Sequence, residues 1–316
     1  MQPFDLEFAA AFVRQRFGDG QHAVVALGEG AWSRAYGFSH EGTELVVRFS
    51  ALDEDFRKDA AAHALVVELP VPPVTEIGSL DDVGAGGWYA ISHRRTGSFL
   101  ESLDRAQADA ATTELITRLD ALATVDPPGT GFGLWQGPQF DAPQQSWSDA
   151  LLAVADDRPR LSNWRTSLRS WPDAQSAFER GYDLLARLAP ALPELRGLIH
   201  GDLLNRNVLV EDGNLTAFLD WGCSMIGDPL YDVAMLLFWP SPLRPALQRI
   251  VDARLIDDDQ RGGPGMLRQR LLVNQLHIAL DNIAYHAWTG RGDDLRQAVD
   301  GLRGILLPLE RDDAGS

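Results

Sequence analysis

Up to about residue 100 the apolar residues come in short runs bounded by glycine, proline and polar pairs; beyond it they recur mostly at helical spacing. The runs at 24–27, 35–38, 43–49 and 88–92 predict strands, and the stretches at 1–17 and 53–69 predict amphipathic helices. A proline-rich break is expected at 69–73. Further on, 103–125 places Leu115, Leu119 and Leu122 at core spacing, 173–192 reads as a helix closed by Pro193, and 233–239 is an apolar run. Residues 243–307 predict helices broken at Gly262-Gly263-Pro264 and at Gly290, followed by a disordered tail. The Gly-, Pro- and Gln-rich stretch 129–145 reads as loop, and 146–171, with Trp147, Trp164 and Trp171, as a helical insertion whose aromatics pack.

Two further apolar runs, 208–210 and 215–219, flank Asp212-Gly213-Asn214, which predicts a tight antiparallel hairpin. With the turn on Gly213-Asn214, Asn207 stands opposite Asp220, and side chains so placed have Cβ atoms about 4.5–5.5 Å apart. An amide and a carboxylate at that separation suit Mg²⁺, which completes its shell with water and substrate phosphates. Asp202, upstream in the loop, is free to face a substrate hydroxyl. A metal to neutralise phosphates and a carboxylate to orient a nucleophile are the parts that phosphoryl transfer needs. The order His200, Asp202, Asn207, Asp220 repeats the spacing of the kinase catalytic loop. Singly, His-Gly-Asp is a turn and Asp-Gly-Asn a hairpin; the ordered set on flanking strands points to chemistry.

A strand, the turn Gly28-Glu29-Gly30-Ala31-Trp32-Ser33-Arg34 and a returning strand make a flap whose backbone N–H groups at Gly28, Gly30 and Ser33 can approach phosphates, or a plain hairpin. The P-loop pattern with its lysine is absent. Arg48 on the next strand and Asp59 on the next helix take the places of a kinase Lys–Glu pair, or else form a surface ion pair. The stretch from Ser92 to Gly97 fits a hinge where backbone groups can read a base. Asp228 and Asp232 read as helix-start carboxylates.

At 316 residues the chain has room for two lobes. Its formal charge of −17, from 45 acidic and 28 basic residues, disfavours nucleic acid and favours a cationic small molecule, or else serves solubility. The lone Cys223 fits a reducing cytoplasm; neither a signal peptide nor a membrane-crossing run is expected.

Together, the residues from Gly28 to Tyr36, Val47-Arg48, His200 to Leu209, Leu219-Asp220-Trp221 and Gly227 to Ala234 resemble the aminoglycoside phosphotransferase family. The resemblance implies an α+β, protein-kinase-like bilobal fold: a small antiparallel-sheet lobe at 1–95 that binds nucleotide and a larger, mainly helical lobe at 96–316. It further implies ATP or GTP as donor and Mg²⁺ on Asn207 and Asp220. In that scheme Asp202 deprotonates the acceptor hydroxyl, His200 braces the loop, and Arg48, oriented by Asp59, holds phosphates. Ser92 lies on the nucleotide side, and Asn205, Asp228, Trp239 and Gln275 on the acceptor side. The acceptor so implied is a hygromycin B-like aminoglycoside, whose phosphorylation gives resistance. A protein acceptor is disfavoured because Asp228-Pro229 follows Asp220 too soon for an activation segment. Alternatives are a macrolide, peptide antibiotic, sugar or amino alcohol as acceptor, or a non-catalytic nucleotide-binding pseudokinase.

Overall fold

The computed structural model describes residues 4–314 apart from 19, 21, 68, 205 and 261–264. Helix α1, Leu6–Phe17, starts at Asp5, whose carboxylate accepts from the Phe8 N–H at 2.9 Å. Its buried face carries Phe12, which meets Phe49 edge-on at 5.2 Å between centroids. Strands β1 (Val25–Glu29), β2 (Ser33–His40) and β3 (Thr43–Ser50) lead into helix α2 (Glu54–Leu65). Strands β4 (Val74–Ser79) and β5 (Trp88–His93) complete an antiparallel sheet in the order β1-β2-β3-β5-β4.

Sequence patterning did not announce β4, which offers only Val74 and Ile77 as strong apolar residues. Its place is fixed by shape. A Cβ on Gly78 would lie 2.5 Å from the Tyr89 hydroxyl, so the tyrosine ring closes over a bare backbone. Helix α2 also stops short of the expected Leu69: at Val66 the chain turns extended and buries Leu69 and Val71.

Beyond β6 (Ser98–Phe99), α3 (Arg105–Leu122) opens with a capping box between Asp104 and Gln107. The 129–145 stretch, expected as loop, contributes β7 (Gly133–Leu134) and buries Trp135 against Phe140, with ring centroids 4.2 Å apart. Helices α4 (Trp147–Leu152), α5 (Trp164–Arg169) and α6 (Pro172–Leu188) follow, with Trp147 and Trp164 buried as packing residues. Strands β8 (Gly197–Ile199), β9 (Val208–Glu211), β10 (Asn214–Phe218) and β11 (Met225–Gly227) form two three-stranded sheets, β10-β9-β6 and β7-β11-β8. Helices α7 (Leu230–Phe238), α8 (Arg244–Gln260), α9 (Met266–Thr289) and α10 (Gly292–Ala314) finish the chain. The break at Gly290 is present, with that residue at φ 72°, whereas the Gly262-Gly263-Pro264 break lies outside the described residues. Helix α10 runs on to Ala314 where a disordered tail was expected.

Two apolar cores result. The smaller lies between α1 and the five-stranded sheet, and the larger fills the helical part. Ala62 and Val66 after the start of α2, with Leu69 and Val71, belong to the larger core, so α2 ties the sheet to the helical part. Packing at β11 is tight enough to test. A Cβ on Gly227 would meet the Trp147 ring at 2.2 Å, and Gly227→Ala is expected to cost about 1–3 kcal/mol by overpacking. Equilibrium urea unfolding measures it; an unchanged midpoint would show that Trp147 has room to move.

Candidate active site

The loop after β8 is held from below. The backbone N–H groups of His200 and Gly201 donate at 2.9 Å to the two carboxylate oxygens of Asp232 on α7. Asp232 is therefore an anchor for this loop, a role beyond the helix-start carboxylate that its position suggested. Burial pushes its carboxyl up to about 6, against the pull of those two N–H groups. Gly201 adopts φ +81°, and a Cβ there would sit 2.4 Å from the Cys223 carbonyl oxygen, so only glycine makes this turn unstrained.

His200 is fully buried. Its Nε2 faces the Leu219 carbonyl at 3.0 Å, and its Nδ1 accepts from the Asp202 N–H at 3.3 Å. A carbonyl only accepts, so the neutral tautomer with hydrogen on Nε2 satisfies both contacts. Burial lowers this histidine to about 4, and it clips the Asp202 loop to the strand leading to Asp220. Asp202 in turn accepts from Asn207 Nδ2 at its own carbonyl (2.8 Å) and at Oδ2 (3.1 Å), so one amide orients the carboxylate.

The hairpin forms, with a register other than the one expected. Asp212 (φ 51°) and Gly213 (φ 80°) are the central turn residues, and Glu211 pairs with Asn214. An irregularity between Leu215 and Ala217 shifts the pairing again, and Thr216 at that point donates from Oγ1 to the Thr96 carbonyl at 2.6 Å. The Leu219 N–H then donates to the Asn207 carbonyl at 2.7 Å. Asn207 therefore stands across from Leu219, and Asp220 follows in a left-handed conformation, φ 58°. Both side chains nonetheless open onto one cleft of about 600 Å³.

All of Gly28, Gly30, Ser33, Arg48, Asp59, Ser92, Asn207 and Asp220 line that cleft. Arg48 pairs with Asp59 in a partly buried contact with side chains 16% and 7% exposed, which removes the surface-pair alternative. The other Asp59 oxygen accepts from the Trp221 N–H at 2.8 Å, so the pair is locked to the residue after Asp220. Ser92 lies within β5, with Val46 and Val74 as partners on its two sides. The segment that follows, 94–97, also lines the cleft, with the Arg94 N–H donating to the Glu44 carbonyl and the Thr96 carbonyl accepting from Thr216.

The protein around the Asp220 carboxyl and the nearby charge of Asp59 raise its pKa, while Arg48 pulls it down. A carboxylate crowded by other carboxylates suits a bound cation. Among the described residues no group of three or more His, Cys, Asp or Glu could hold a metal alone, so an ion here would draw on water and phosphate oxygens, as Mg²⁺ does.

The acceptor-side assignments fare differently. Asn205 lies outside the described residues. Asp228 is 1% exposed and committed: it takes Arg270 Nε at 2.8 Å and Nη2 at 2.5 Å, and caps the Leu230 N–H at 2.9 Å. A carboxylate so enclosed does not face an acceptor, and its helix-start role is the one that holds. Trp239 is half-buried at the end of α7 against His286, and Gln275 is half-buried on α9. Lys58 is the residue that sequence reading missed: 2% exposed, it donates to the Gly222 carbonyl at 3.0 Å and lies 5.1 Å from the Trp135 ring centroid. It ties α2 to the turn after Asp220, and burial lowers its pKa.

His277, whose Nδ1 meets the Tyr231 hydroxyl at 2.9 Å, is also lowered by burial to about 4. Depressed imidazoles contribute stability that is fully present above about pH 6.5 and lost as pH falls towards about 4. Asp232, raised to about 6, works in the opposite sense, since its protonated form suits the fold. With the imidazoles of His200, His277 and His286 lowered by burial against raised carboxyls at Asp232 and Asp220, the thermal midpoint is expected to fall between pH 6.5 and 4, and to fall less in His277→Phe. A midpoint that stays level or rises on acidification would contradict this.

Comparison with known proteins agrees with the geometry. The Phosphotransferase enzyme family profile matches residues 23–266. The chain is 32% identical over 286 residues to Hygromycin-B 4-O-kinase of Escherichia coli, covering 90% of this chain and 80% of that protein. The crystal structure of aminoglycoside phosphotransferase APH(4)-Ia aligns with a TM-score of 0.82 at 27% identity, over 95% of this chain and 98% of that one. A thermostable mutant of that enzyme in ternary complex with AMP-PNP and hygromycin B aligns with a TM-score of 0.80 at 29% identity, over 97% and 99%. Kinase-like architecture, a catalytic loop in the right order and a family match over most of the length converge: the chain belongs to the phosphotransferase enzyme family, that of the aminoglycoside phosphotransferases.

Proposed function

We propose that this protein transfers the terminal phosphoryl group of ATP or GTP to a hydroxyl of hygromycin B or a similar aminoglycoside, so conferring resistance. The observation that carries the reading is the pairing of Asp202, oriented by Asn207, with a cleft lined by the glycine flap, Arg48 and Asp220. The flap amides and Arg48 receive the phosphates, and the 94–97 segment the base. Asp202 accepts the proton of the acceptor hydroxyl as its oxygen bonds to the terminal phosphorus and the bond to the bridging oxygen breaks. Asn207 and Asp220 would hold Mg²⁺, which supplies neutralisation of phosphate charge when bound. His200, neutral, orients the loop and moves no proton.

Residues 1–95 serve as the nucleotide lobe and 96–316 as the catalytic and acceptor lobe. The acidic balance suits a cationic acceptor and opposes nucleic acid. No helix among the described residues is long and apolar enough to cross a membrane, and the single cysteine fits a cytoplasmic setting. Incubation of the purified protein with Mg²⁺, nucleotide and a panel of acceptors, read by mass spectrometry, tests this. Phosphorylated hygromycin B is the expected product. No product from any aminoglycoside, with product from a macrolide, peptide antibiotic, sugar or amino alcohol, would redirect the acceptor; no product at all with nucleotide binding intact would make the protein a pseudokinase.

A further inference from the structure

At the tip of the phosphate flap stands a partly exposed aromatic residue that does not line the cleft itself. Trp32, between Gly30 and Ser33, stacks on Trp288 of α9 with ring centroids 5.7 Å apart and planes 17° from parallel. The same indole lies 5.6 Å from the Arg160 guanidinium carbon. Arg160 is itself fixed, donating to Glu54 at 2.9 Å and to Asp55 at 3.1 Å at the start of α2. The tip therefore touches two elements of the helical part, the 146–171 insertion and the end of α9, while the base of the flap is pinned by the Arg34–Glu29 pair at 2.8 Å. One turn before Trp288, Tyr285 lies 6.4 Å from its ring. The stack thus joins the flap tip to the helical part.

We propose that Trp32 and Trp288, with Arg160 beside them, form a latch that holds the flap shut over the nucleotide phosphates, making Trp32 a positioning residue for transfer. A tip this small contributes few backbone contacts of its own, whereas an indole pair and a cation on an indole face both favour the closed position. Parting of the stack frees the flap tip, so the latch slows nucleotide release. The insertion at 146–171 thereby gains a task beyond packing. The proposal rests on the nucleotide assignment above and needs no particular acceptor.

The test is release of the fluorescent nucleotide mant-ADP, with Mg²⁺, from the full-length protein by stopped flow, alongside hydrogen exchange of amides 29–34. Trp32→Ala and Trp288→Ala are each expected to speed release and flap exchange roughly tenfold. The double variant should add little to either single one, since the two act as a unit, and Trp32→Phe should restore most of the effect. Trp32 is 38% exposed, so its replacement is expected to leave the thermal midpoint at the parent's value and to carry the test even where Trp288→Ala lowers it. Release within twofold of the parent in Trp32→Ala, or effects that multiply in the double variant, would overturn the latch. Because mant-ADP release needs no acceptor, a failed acceptor screen leaves this readout intact, and mant-ADP that does not bind the parent protein would overturn both readings at once.

Discussion

Asp202→Asn is expected to lower kcat about 10²- to 10⁴-fold, the usual contribution of a positioned general base, while nucleotide affinity stays near the parent's. The asparagine keeps the size of the side chain and can still accept from Asn207 Nδ2, so the loop has no reason to move. What is lost is the group proposed to take the hydroxyl proton, because an amide has no useful basicity. Nucleotide affinity is spared because Arg48, Asn207 and Asp220 line the cleft and remain. Initial-rate kinetics with hygromycin B, paired with calorimetric titration of a non-hydrolysable ATP analogue, separate the two quantities. A variant that turns over within a few-fold of the parent would remove Asp202 from proton transfer; one that also loses nucleotide would make it a structural residue of the loop.

What could be read from the sequence was the placement of residues that lie close together in the chain. His200, Asp202, Asn207 and Asp220 lie within one loop and one hairpin, so their order alone carries most of their geometry, and His200 is where its spacing put it, as a brace. Gly28, Gly30, Ser33, Arg48 and Asp59 are spread more widely, yet each sits on a strand, turn or helix with a clear pattern, and all reach the same cleft. Register was harder. The turn moved by one residue and the irregularity near Thr216 moved the pairing again, and nothing in Leu215-Thr216-Ala217 reveals a bulge because no residue there demands an unusual φ.

Partnerships over long sequence distances left no periodic trace. Asp228 meets Arg270 42 residues on, and Lys58 reaches Gly222 164 residues on, so the first was misplaced beside the acceptor and the second went unnoticed. The case of Lys58 shows the limit clearly: on α2 it is adjacent to Asp59, and only the packed position of the helix shows that both are buried and point to the same turn. Strand β4 was missed for a related reason, since its placement depends on the Tyr89 ring lying over Gly78, a fit between shapes and not between hydropathies.

The same turn makes Asp59 the most exacting position after Asp202. One of its oxygens holds Arg48 and the other accepts from the Trp221 N–H, so it sets both the cleft-facing cation and the backbone that carries Asp220. Asp59→Ala leaves Arg48 partly buried without its partner, and breaking such a pair costs about 3–5 kcal/mol. The lower end applies here, because Arg48 opens onto the cleft and water can reach it. After Asp59, the acid that acts most strongly on Arg48 is Asp220, so the guanidinium is expected to turn to that carboxylate and occupy an oxygen proposed for Mg²⁺. Stability and nucleotide affinity should therefore fall together, and raising Mg²⁺ should recover part of the affinity but none of the stability. Asp59→Asn retains an acceptor for the Trp221 N–H, and its loss of stability should be the smaller of the two. Urea unfolding and nucleotide titration at two Mg²⁺ concentrations decide the matter: an Asp59→Ala protein with the parent's midpoint and affinity would reduce the Arg48–Asp59 pair to a bystander.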